Sequence, residues 1–146
     1  MPTSRFVCLL LFVLLSGCVA WETPEDRDPD YVYVLEQTLD AWRSRYDYIT
    51  NGSADALARS VIQEVTADVL YAECGVCVGC YQTRGDRILI LRGRLGYKRE
   101  CTAAHEYLHL LSRYDLDDLQ DDHSNPDLWE EFGDDSLETI LCEILH

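Results

Sequence analysis

Positive charge is scarce in this chain: 12 lysines and arginines stand against 27 aspartates and glutamates, for a formal net charge of −15. Such a surface repels polyanions, which disfavours nucleic acid as a partner and attachment to anionic membrane by charge. The same field concentrates metal cations near the protein. Long apolar runs are missing as well. The run from Phe6 to Leu15 has about ten residues, too few to cross a hydrocarbon layer of ~30 Å. With 146 residues there is room for one domain and little for a second core. Histidine is the third shortage: there are four, and three fall between positions 105 and 123.

Arg5 ahead of the apolar run, and the small residues Ser16 and Gly17 behind it, have the make-up of an export signal. Leu15-Ser16-Gly17-Cys18 resembles the lipobox of bacterial lipoproteins. That resemblance implies cleavage before Cys18 and a lipid on its sulfur. It also implies anchorage in the cell envelope, with Val19 fitting retention in the outer membrane, facing the periplasm or the exterior. A plain secretory signal is the alternative. Residues 1–18 are then the signal peptide, 19–30 a polar tether containing Pro24 and Pro29, and 31–146 the single domain. Contact with membrane rests on the lipid and not on charge.

Export turns cysteines into disulfide candidates. With Cys8 in the signal and Cys18 lipidated, Cys74, Cys77, Cys80, Cys101 and Cys142 remain. The number is odd, so at least one thiol is left over or pairs between molecules. Cys101 and Cys142 can staple the C-terminal segment to a helix described below; full connectivity does not follow from sequence. Cys74-x-x-Cys77-x-x-Cys80 resembles part of an iron–sulfur run, but Thr83 stands where the fourth cysteine would be.

Hydrophobic spacing supplies the elements. Val32, Leu35, Leu39, Trp42 and Tyr46 predict a helix over about 31–48 with Asp30 as N-cap. Ile49 to Gly52 carries a turn signal, and Ser53 can cap a second helix over about 54–71 built on Leu57, Val61, Val65 and Val69. The β-branched part, Val65 to Tyr71, has a strand as its alternative. Arg87 to Arg92 reads as a strand, with 76–82 as a hairpin partner, and its edge can take an extended peptide. A helix over about 100–113 follows, and Ser136 caps a last one with Leu137, Ile140, Leu141, Ile144 and Leu145 inward. The class is α+β: three to four helices with a small sheet or hairpin.

On the helix at 100–113, residues four apart lie about 40° apart around the axis and roughly 6 Å apart along it, so His105 and His109 share a face. Neutral imidazoles suit zinc, and Glu106 falls beside them. His105-Glu106-Tyr107-Leu108-His109 resembles the HExxH signature of zincin metallopeptidases. The resemblance implies a minimal zincin-like domain, a Zn2+ cofactor on His105 and His109, and Glu106 as general base on a zinc-bound water. It also implies a peptide or protein substrate.

Catalytic zinc sites use three protein ligands. The metzincin pattern points to Asp115, but Ser112 replaces its glycine and the only methionine is Met1, so there is no Met-turn. The gluzincin pattern points to Glu130 or Glu131. His123, in Asp121-Asp122-His123-Ser124, is the preferred third ligand. A neutral imidazole needs less compensation among carboxylates than another carboxylate would, and Asp121 or Asp122 can orient its second nitrogen. The order of HExxH, acidic loop, Asp-His-Ser and Trp129 looks like the pattern in small bacterial lipoproteins of delta-proteobacteria. The acidic loop 116–122 lacks the spacing of a calcium-binding EF-hand. Tyr107 and Tyr114 are candidate donors to an oxyanion or packing residues, and His146 is the least suited ligand. The expected function is zinc-dependent hydrolysis of peptide bonds at the cell envelope. The alternative is a non-catalytic metal- or protein-binding envelope lipoprotein. No specificity pocket is recognisable at this level.

Overall fold

A computed structural model describes residues 28–119, 123–129 and 133–146. The signal segment with Cys18, the tether up to Arg27, and Asp121, Asp122, Glu130 and Glu131 lie outside the described residues.

Helix α1, Pro29–Tyr46, starts two residues before the expected boundary. Proline at the first helical position has its φ already set, and the Asp28 side chain, rather than that of Asp30, caps by accepting from the Asp30 N–H at 3.0 Å. Its buried face is Tyr31, Val34, Thr38 and Trp42. That face is rotated from the expected one: Val32 is exposed, while Leu35 and Leu39 pack at its margin. Thr38 can be buried there because its hydroxyl donates to the Val34 carbonyl at 2.8 Å.

The single helix expected over 54–71 is instead α2 (Asn51–Arg59), β1 (Val61–Val65) and α3 (Ala67–Cys74). Spacing of four is the reason. It satisfies a helix face, but it is also a multiple of two and so keeps Val61 and Val65 on one face of a strand. The i+3 positions Ser60, Glu64 and Asp68 are polar and do not support a continuous helical stripe. Thr50, not Ser53, caps α2 by accepting from the Ser53 N–H at 3.2 Å.

Strands β2 (Gly79–Gln82) and β3 (Arg87–Leu91) form the expected hairpin, pairing Gly79 with Ile90 and Gln82 with Arg87. The sheet order is β1-β3-β2, with β1 parallel to β3 from Val61↔Arg87 to Val65↔Leu91. β3 is therefore central, and Ile88, Leu89 and Ile90 are fully buried. Both its edges are paired, which removes the expectation that β3 offers a free edge to a peptide.

Helix α4, Tyr97–Asp115, exceeds 100–113 at both ends, and α5, Leu137–Ile144, is capped by Ser136. α4 packs against α1, α2 and α5 and against β2 and β3. Ala103, Ala104, Tyr107, Leu108, Leu110 and Leu111 are buried almost all round it, as a helix enclosed on several sides requires. The Cys101–Cys142 disulfide ties α4 to α5, and Cys74–Cys80 ties the end of α3 to β2. The fold is α+β, with five helices and a three-stranded mixed sheet among the described residues. None of the described helices is long and apolar enough to cross a membrane.

Candidate metal centre

Buried at the middle of the fold, α4 holds His105 and His109 one turn apart, and their Nε2 atoms lie 2.9 Å from each other. The loop after α4 returns His123, whose Nε2 lies 3.0 Å from that of His109. One nitrogen from each ring falls within 4.8 Å of the others, and the three histidines can hold a metal ion. An ion bound at about 2.0–2.1 Å in tetrahedral geometry separates its nitrogens by about 3.3 Å, so two of the contacts need to open by only a few tenths of an ångström. A single shared proton bridges one pair of facing ring nitrogens; a cation satisfies all three lone pairs together.

His123 is held in the left-handed region, with φ 55°. That conformation costs an L-residue about 1–2 kcal/mol, and here it turns the imidazole back to α4. Trp129, 1% exposed, lies against all three rings with centroid distances of 5.0, 4.4 and 4.4 Å to His105, His109 and His123. This apolar wall keeps water off one side of the cluster and lowers the local dielectric around it.

His105 is oriented from outside. Its Nδ1 lies 2.6 Å from Glu138 Oε1. With Nδ1 donating to the carboxylate, the neutral ring keeps its lone pair on Nε2, which is the tautomer a metal requires. Sequence reasoning missed Glu138, although a signal was present. Cys142 is four residues beyond Glu138 and His105 four residues beyond Cys101. Once the disulfide pairs Cys101 with Cys142 on helices running in opposite directions, the residues one turn along each helix must meet. Replacing Glu138 with alanine is expected to lower metal affinity about 10–100-fold, read by competition with a chelating dye. Unchanged affinity would leave the contact without a role in the site.

Glu106 is 3% exposed and lines a cleft of about 560 Å³ with His105, Thr102, Cys77, Val78 and Gly79. Glycine at 79 is a steric requirement. A Cβ there would sit 2.6 Å from Thr102 Cγ2 and 2.8 Å from Glu106 Oε1, so only a bare backbone lets β2 close on this carboxylate. Gly79→Ala should cost about 1–3 kcal/mol by overpacking and displace Glu106. Thermal unfolding checks this; a variant with parental stability would refute the close approach. Burial pushes the Cys77 thiol up from its ordinary value, and the nearby Glu106 carboxylate adds to the effect. This free cysteine is therefore held as a neutral thiol, a poor nucleophile.

The other sequence candidates lie elsewhere. Asp115 is six residues past His109, which on a continuing helix turns it about 120° away from that imidazole. Its Oδ1 accepts from the Thr50 N–H at 3.0 Å, Thr50 Oγ1 at 2.6 Å and Ser53 Oγ at 2.6 Å, at the N-terminus of α2. Ser112, where the metzincin glycine would end the helix, is buried inside α4 and donates to the His109 carbonyl at 3.0 Å. Tyr107 is packed in the core, and Tyr114 donates to Asp86 Oδ1 at 3.0 Å. Neither tyrosine lines the cleft.

Set against family models, curated proteins and solved structures, the chain matches none.

Proposed function

We propose that this chain is a zinc-dependent peptidase of the cell envelope, with His105, His109 and His123 as the metal-holding residues and Glu106 as the general base. The observation that carries the proposal is the convergence of three imidazole nitrogens with a buried carboxylate next in sequence to one of them. Three nitrogen ligands fit zinc with a position left open. Bound there, zinc would supply Lewis-acid polarisation of a carbonyl and acidification of water.

The chain's own residues do the rest. Glu106, at the wall shared with Gly79 and Thr102, accepts a proton from the attacking water and returns it to the leaving amine. Glu138 holds the His105 ring in one tautomer, and Trp129 excludes water from the rear of the cluster. The cleft is open on one side, which suits an extended peptide better than an enclosed small molecule.

Placement at the envelope, anchored by a lipid on Cys18, rests on the first 18 residues. The Cys74–Cys80 and Cys101–Cys142 disulfides support an oxidising compartment. The test is cleavage of a broad peptide library by the zinc-loaded chain before and after Glu106→Gln.

A further inference from the structure

The cleft beside Glu106 is balanced in charge where the rest of the protein is acidic, with Arg94 and Lys98 set against Glu106 and Glu138. In a chain of net charge −15, Arg94 and Lys98 both line it, and Lys98 is the only lysine. Of the other cations, Arg43 pairs with Asp40, Arg59 with Asp86, Arg45 with Asp127, and Arg99 with Asp28, Asp30 and Glu64, whereas Arg84, Arg87, Arg92 and Arg113 lie outside this cleft. Arg94 and Lys98 enter no ion pair among the described residues. The Arg94 Nε donates to the Lys98 carbonyl at 3.3 Å, which fixes the arginine against the first turn of α4 and leaves its terminal nitrogens for another acceptor. The two cleft acids are engaged otherwise: Glu138 holds His105, and Glu106 sits against Gly79.

We propose that Arg94 and Lys98 form a carboxylate-recognition subsite in the cleft beside Glu106, so that the peptides taken up carry an acidic group close to the bond presented to Glu106. The proposal deepens the peptidase reading and rests on it for the role of the bound peptide. Range decides between the local cations and the acidic surface. The wider field is screened over about 8 Å at physiological ionic strength, whereas a carboxylate in the cleft meets both cations at closer range. The same field still repels polyanions, so the ligand is a short peptide with one or few carboxylates and not a nucleic acid. The positive end of the α4 dipole, at the turn that carries Lys98, acts in the same direction.

Each exposed charge pair is worth about threefold in affinity, so two together give about tenfold. The test is calorimetric binding to the full, zinc-loaded chain carrying Glu106→Gln, which prevents turnover. The probes are a blocked alanine peptide with central glutamate, its glutamine counterpart, and an all-alanine peptide as free acid and as amide.

The expected result is about tenfold tighter binding of one acidic probe over its neutral partner. The ratio should fall to near one when Arg94→Gln and Lys98→Gln are added. A ratio in the glutamate pair identifies a side-chain carboxylate, and one in the free-acid pair a C-terminal carboxylate. Ratios near one in both pairs, a ratio unmoved by the added substitutions, or no binding of any probe would overturn the subsite. If the ratio holds while the chain with Glu106 intact cleaves none of these peptides or the library, the subsite stands and the peptidase reading fails.

Discussion

Glu106→Gln is expected to leave the metal bound and to reduce peptide cleavage by about 10²–10⁴-fold, the range that a positioned general base contributes. Glutamine has the shape of glutamate and can occupy the same space beside Gly79. The ring nitrogens of His105, His109 and His123 are untouched by the change, so metal content should remain that of the parent. What is lost is the proton acceptor, and the loss should appear in kcat more than in KM because the acceptor acts in the transition state. Equal cleavage by the two proteins would remove Glu106 from the chemistry. The site would then be a binding centre.

His123→Ala should release the metal, while Asp115→Ala should keep it and weaken the fold. His123 contributes one of three converging nitrogens, so its removal should cost more than the roughly 10–100-fold expected for a supporting residue such as Glu138. Asp115 instead gathers the Thr50 N–H and the hydroxyls of Thr50 and Ser53 at the start of α2. Losing that acceptor should destabilise the domain by about 2–4 kcal/mol, because three donors lose a charged partner. Chelator competition and denaturant unfolding on both variants separate the two effects. Metal loss in a stably folded Asp115→Ala protein would contradict this assignment.

The HExxH stretch was legible because a helix converts sequence spacing directly into shared direction, and the order of α4 and α5 around it was legible for the same reason. Ligand chemistry favours the approach of His123 to the pair, and the fold brings the three rings together. β1 was not legible, since Val61 and Val65 satisfy helix and strand alike and only pairing with β3 decides between them. The buried face of α1 is rotated because Trp42 and Tyr31 are placed by packing with the rest of the core, which local spacing does not encode. Glu138, Gly79 and the pairing of Arg94 and Lys98 in one cleft depend on which elements meet, and they emerged only with the fold. The Cys101–Cys142 pair is a partial exception: the sequence offers it as a candidate staple, and the register it imposes carries Glu138 to His105.

The most direct test of the account is the zinc-to-protein ratio after equilibrium dialysis, measured on the parent and on His105→Ala, His109→Ala and His123→Ala together. One zinc per parent chain, lost in each of the three variants, is the expected result. A parent that binds no zinc, or variants that bind as much as the parent, would contradict the metal centre and with it the proposed hydrolysis.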